Sequence, residues 1–125
     1  MEERPEEFSW IEMITKHYPS YKPEAYAFVM IVIDEIQESL EIRRHISGEV
    51  LLDGLKIYAS SRYGPMAKEV LNSWGVYKTE DIGNIVFMMV KFGILDTTEE
   101  DSIEDFKERF NFKRVFEEDY FNNEN

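Results

Sequence analysis

Apolar residues recur at helical spacing along most of the chain, and glycine, proline and small polar residues mark where each run stops. Phe8, Ile11 and Ile14 share one face of a predicted first helix, Pro5 to His17. Tyr18 to Lys22 reads as a loop, because Pro19 pushes the residue before it out of helical geometry. Pro23 suits a first helical position, so a second helix is predicted from Pro23 to about Arg43. Its first half, AYAFVMIVI, is apolar on every side, and its second half narrows to Ile33, Ile36 and Leu40. A strand at Phe28–Ile33 is the rival reading, outweighed by the helical continuation. Apolar on all sides implies burial on all sides, so this is the expected central helix. Arg43, Arg44 and His45 would close it, where positive charge meets the negative end of the helix dipole.

Ser47 is placed to cap a third helix, Gly48 to Tyr63, with Leu51, Leu55, Tyr58 and Ala59 as its buried stripe. Gly54 inside it costs about 1 kcal/mol against alanine, a cost that close approach by another helix would explain. Gly64 ends this helix, Pro65 starts a fourth running to Trp74, and Gly75 stops that one. The fourth helix is expected to bury Met66, Val70, Leu71 and Trp74. Thr79-Glu80-Asp81 opens a fifth helix, to Phe92, burying Ile82, Ile85, Val86, Met89 and Val90. Beyond Gly93, Ile94-Leu95 and the alternating Phe110 and Phe112 could pair as a small two-stranded wing. Alternatively, Phe112, Phe116 and Tyr120 fit a final amphipathic helix at i, i+4 and i+8. The fold class is therefore mainly α, with five to six helices in one domain over 1–125. A helix pair covers 1–46, a tri-helical helix-turn-helix unit, with or without the small wing, covers 47–112, and an acidic aromatic segment covers 113–125.

Charge changes what that punctuation implies. Three helices and a wing match the order of a winged-helix DNA reader, whose last helix enters the major groove. Its outward positions would be Glu80, Gly83, Asn84, Phe87 and Lys91, of which only Asn84 and Lys91 resemble base or phosphate readers. The wing would present Glu99, Glu100 and Asp101 to phosphates, and the chain as a whole carries a net charge of -12. DNA binding ordinarily needs several lysine or arginine contacts to phosphate. The ends are the most acidic parts: net -6 from Glu99 onward, -3 over residues 1–16, and -3 over the long middle. Such a surface repels phosphate backbones and anionic lipid and favours solubility or a basic partner.

Other chemistry finds little support. There is no cysteine, which excludes disulfides and thiolate metal sites. His17 and His45 have no histidine neighbour at metal-ligating spacing, and the arginines before His45 disfavour a cation there. An EF-hand count from Asp96 places Asp101 where the loop needs glycine and Lys107 where it needs a bidentate carboxylate. Glu35 and Glu38 lie one turn apart, as expected of a charged helix face. No P-loop, dinucleotide fingerprint or nucleophile elbow occurs. No cofactor, metal or catalytic residue is therefore expected. The longest apolar run, Ala25 to Ile33, is nine residues, well short of the roughly 20 that span a bilayer. The opening MEERPEEFSW does not read as a secretion signal. A cytoplasmic protein without a membrane segment is the expectation.

Two features suggest a contact surface. Phe87 and Met88 lie off the buried stripe of the fifth helix, so either the first two helices cover them or they meet a partner. The aromatics Phe106, Phe110, Phe112, Phe116, Tyr120 and Phe121 either dock onto a partner or close the chain's own core. The candidate interaction residues are Asn84, Phe87, Met88, Lys91, Phe112, Phe116 and Tyr120.

The segments RHISGEVLLDGLKIYA, YGPMAKEVLNSWGV, TEDIGNIVFMMVKFGIL and TTEEDSIEDF, with the earlier YKPEAYAFV, resemble in order and spacing a bacterial family of short acidic hypothetical proteins, the Minf type. The resemblance spans roughly residues 8–116 and implies no activity, cofactor or site residue. The expected function is a non-enzymatic protein–protein interaction domain, with a protein partner or a second copy of the chain as ligand. A winged-helix regulator is the alternative. An enzyme with an Asp or Glu acid/base pair is the least supported, because no nucleophile, base and orienting group can be named.

Overall fold

The computed structural model describes residues 5–40, 46–95 and 106–118, with side chains from Ser9 onward. The order is α1 (Pro5–His17), α2 (Pro23–Leu40), α3 (Gly48–Tyr63), a 3-10 turn (Gly64–Met66), α4 (Ala67–Ser73), α5 (Thr79–Lys91) and a C-terminal helical turn of π pitch (Lys113–Glu118). The protein is mainly α, and no strand occurs among the described residues.

α2 is central: it packs on α1, α3 and α5, while the C-terminal turn packs on α3 and α4. Ala25, Tyr26, Phe28, Val29, Val32 and Ile33 are buried, with Ile11 and Ile14 of α1 in the same core. The burial is not all round, because Ile31 is 38% exposed. Leu40, expected on the narrowed stripe, is 55% exposed at the end of the described part of α2. The expected closing residues Arg43, Arg44 and His45 lie outside the described residues, as does the side chain of Phe8.

Local chemistry sets the helix ends. The Val50 amide donates to Ser47 Oγ at 3.2 Å, an N-cap that satisfies one orphan donor of α3. Leu51, Leu55 and Ala59 are buried and Tyr58 is half-buried, and Leu52, not foreseen, joins them at 2% exposure. A Cβ on Gly54 would lie 2.9 Å from Ile36 Cγ1 and closer still to Cδ1, so glycine lets α2 and α3 approach. The fourth helix differs from expectation at its start. Pro65 opens a 3-10 turn rather than an α-turn, and Met66 is 53% exposed, leaving Ala67 and Leu71 as the buried pair. Val70 and Trp74 are half-buried.

The wing is not seen among the described residues, for a local reason. The Ile94 amide donates to Met89 O at 2.8 Å and the Gly93 amide to Val90 O at 2.9 Å, with Gly93 at φ +80°. This is a Schellman cap of α5, and it uses the backbone a strand would have needed. Phe112 and Phe116 follow the helical alternative instead: they are 3% and 0% exposed. Asn111 Oδ1 accepts from the Arg114 amide at 3.0 Å and caps that turn.

Candidate functional site: the outer face of α5

The start of α5 is tied to the loop between α1 and α2. Asp81 sits in its first turn, and its Oδ2 accepts from the amides of Tyr77 (2.8 Å) and Lys78 (3.1 Å). A carboxylate here meets orphan amides and the positive end of the helix dipole together. Its Oδ1 accepts from the Tyr21 hydroxyl at 2.7 Å, and the same hydroxyl accepts from Asn84 Nδ2 at 3.0 Å. Burial pushes the Tyr21 phenol up to about 12; Asn84 pulls it down by favouring the phenolate, while the Asp81 charge and hydrogen bond push it up. The loop is held from beneath as well. The Lys22 amide donates to Trp74 O at 3.0 Å, and a Cβ on Gly75 would fall 2.7 Å from Ser20 O.

A second tie closes the far end. Lys91 Nζ donates to the Tyr18 hydroxyl at 3.2 Å and lies 5.5 Å from that ring's centroid. Phe92 meets Tyr18 edge to face and His17 at a tilt, with centroids 6.0 and 5.9 Å apart. Residues 18–21 therefore run alongside α5, one tyrosine gripping each end, and Met88 between them is half-buried against the core.

The opposite flank is closed by the C-terminal segment. A Cβ on Gly83 would lie 2.8 Å from Phe106 Cβ and Cγ, so Phe106 rests on bare helix backbone. Buried Thr79 pins the segment: its hydroxyl donates to Phe106 O at 2.6 Å and accepts from the Arg109 amide at 3.1 Å. Gly83, expected to face outward, is buried for this reason.

What remains is a strip bearing exposed Asn84, Phe87 and Lys91 with half-buried Glu80 at its start, four of the five positions expected to face out. Phe87 is 56% exposed in the middle of it. The candidate residues thus divide. Asn84, Phe87 and Lys91 share the strip, Met88 is partly covered, and Phe112 and Phe116 are core residues, Phe112 keeping only 3% of its surface. Tyr120 and Phe121 lie outside the described residues, as do the wing carboxylates, most of the would-be calcium loop and His45. Sequence reasoning missed Tyr18, Tyr21 and Phe106 as partners of this helix, and Thr79 and Asp81 as the groups within it that hold two of them. Asp81 alone carried a signal, an acid as the third residue of a helix.

No group of three or more potential metal ligands occurs among the described residues. His17 is exposed, with Nδ1 3.0 Å from Met13 O. Glu35 and Glu38 are exposed, as a charged face requires. A cavity of about 740 Å³ runs along α1, and its described lining residues, Ser9, Glu12, Met13, Thr15, Lys16 and His17, all belong to that helix. No helix among the described residues is long and apolar enough to cross a membrane. No protein-family model matches the chain, and no curated protein or solved structure matches it.

Proposed function

We propose that this chain is a non-enzymatic protein–protein interaction domain of the cytoplasm, and that the outer strip of α5 is its contact surface. The observation that carries the reading is Phe87: a large apolar ring, 56% exposed, between polar neighbours already committed inside the chain. Aromatic side chains on rigid elements supply contact area at low entropic cost and are typical interface anchors. The tyrosine ties at Asn84 and Lys91 fix the helix before any partner arrives.

The winged-helix alternative draws on the α3–α4–α5 order, but its two reading residues are occupied. Asn84 is bonded to Tyr21 and Lys91 to Tyr18, and Lys91 is the only cation on the strip, against Glu80 and a net charge of -12. Each phosphate contact contributes through counterion release, and one contact gives little affinity. Quantitative affinity capture from the cells that make the protein, with wild-type and Phe87→Asp baits, tests the proposal. At least one protein should depend on Phe87, and identical captured sets would refute it. A gel shift on mixed-sequence duplex at low salt, lost in Asn84→Ala and Lys91→Ala, would establish the alternative instead.

A further inference from the structure

Glu80 belongs to two surfaces at once. It ends the exposed strip of α5, and it lines a cavity of about 340 Å³ between the start of that helix and the segment after Phe106. That volume is at the lower end of the roughly 300–1,000 Å³ of ligand pockets. Tyr77, Phe110 and Phe112 supply aromatic walls, Glu80 and Glu108 two carboxylates, and Lys78 and Asn111 the remaining polar groups.

The cavity is held in shape. The two hydrogen bonds of Thr79 fix Phe106 and Arg109 across the start of α5. Between them Glu108 adopts φ +51°, the one non-glycine residue in the left-handed region among those described. That conformation costs about 1–2 kcal/mol, so the anchored ends must hold it.

Its chemistry suits a cation on an apolar stem. Two carboxylates face one ammonium among the lining residues. Tyr77 is 63% exposed, and Phe110 already accepts one cation, with Lys56 Nζ 5.7 Å from its ring centroid. Asn111 Oδ1 is used by the Arg114 amide. Besides Lys78, the nearby cations are Lys56, already over the Phe110 ring, and Lys107, Arg109, Lys113 and Arg114; Lys113 pairs with Glu117 and Glu118 at 3.9 and 3.7 Å. At longer range the net charge of -12 draws in a basic partner and repels both a second copy and a nucleic acid.

Resting on the proposal that α5 presents a protein contact, we infer that this cavity takes a lysine or arginine side chain of the partner. Seven residues separate Glu80 from Phe87, about 10 Å along a helix axis. The partner segment therefore carries an apolar residue and a basic one about 10 Å apart, two turns of a helix or three residues of a strand.

The full chain, labelled with nitrogen-15, is titrated with Nα-acetyl-lysine N-methylamide, and separately with its norleucine and glutamate counterparts. The lysine amide should give saturable shifts at the amides of Tyr77, Glu80, Glu108 and Phe110, and the other two should not. Glu80→Gln with Glu108→Gln should weaken that binding about tenfold while leaving the dispersed spectrum intact. No saturable shift, an equal response to norleucine, or undiminished binding by the double variant would overturn the inference. Capture of the Phe87-dependent partner at full strength by the double variant would also overturn it, while leaving the Phe87 contact standing.

Discussion

Replacing Gly83 by alanine gives a prediction whose sign depends on the fold. On an outward position of α5, alanine would stabilise the helix by about 1 kcal/mol relative to glycine. Phe106 reverses this expectation. The new methyl would sit 2.8 Å from Phe106 Cβ and Cγ and 2.9 Å from Cδ2. A contact with a Cβ cannot be relieved by turning the ring, because Cβ moves only with the main chain. That main chain is held by the Thr79 hydroxyl, 2.6 Å from Phe106 O. Overpacking costs typically 1–3 kcal/mol, and a clash rooted in backbone belongs in the upper half of that range. Subtracting the helix gain leaves a net loss of about 1–2 kcal/mol. Urea unfolding should show a lower midpoint at unchanged slope, and thermal unfolding a fall of about 4 °C per kcal/mol for a chain of this length. Gly83→Ala combined with Phe106→Ala should couple favourably, the second change removing most of the cost of the first. Stabilisation by the single variant would refute the placement of Phe106 over α5.

Further outcomes follow from the same contacts. Tyr26→Phe should be neutral or stabilising by up to about 1–3 kcal/mol in urea unfolding, because the buried Tyr26 hydroxyl has no partner among the described residues; a clear loss would show that the hydroxyl is bonded after all. Gly75→Ala should destabilise by about 1–3 kcal/mol, since Gly75 has φ +93° and Ser20 O would lie 2.7 Å from the new Cβ, and an unchanged urea midpoint would contradict that turn. The phenol of Tyr21 is raised from 10.0 to about 12 in the folded chain, so the unfolded chain loses that proton first. Its contribution to stability is therefore full below pH 10, declines between 10 and 12, and should be missing from the pH profile of Tyr21→Phe; a profile that rises across that window would refute the burial of Tyr21.

Much of the helical framework was readable because its signals are local. Ser47 caps α3, Gly75 and Gly93 take left-handed conformations just past helix ends, and the apolar spacing marks the stripes of α1, α3 and α5. The bounds of α1 and α3 are the predicted ones. The misses are contacts between distant parts of the chain. Nothing in the sequence pairs Tyr21 with Asp81 or Tyr18 with Lys91, because a phenol or an ammonium bonds equally well to water. Gly83 is the instructive miss. Gly54 was read as a point of close approach and Gly83 as merely outward, although both are glycines inside helices and carry the same propensity cost. Wing and helical turn stay open in the sequence for a different reason: alternation at Phe110 and Phe112 is too short to separate a strand from the start of a helical turn, whereas in the structure the Ile94 amide is taken by the cap at Met89.

The central claim is that the open strip of α5 meets another protein through Phe87. Substituting Phe87 with aspartate should change the unfolding free energy by no more than about 0.5 kcal/mol, as for an ordinary surface site, which separates contact from folding. The most direct measurement is light-induced crosslinking in living cells from p-benzoylphenylalanine placed at residue 87. Ile57, 67% exposed on α3, serves as the control position. A discrete adduct of one protein mass from position 87, missing from position 57, is the predicted result. No adduct from position 87, or the same adducts from both positions, would contradict the account.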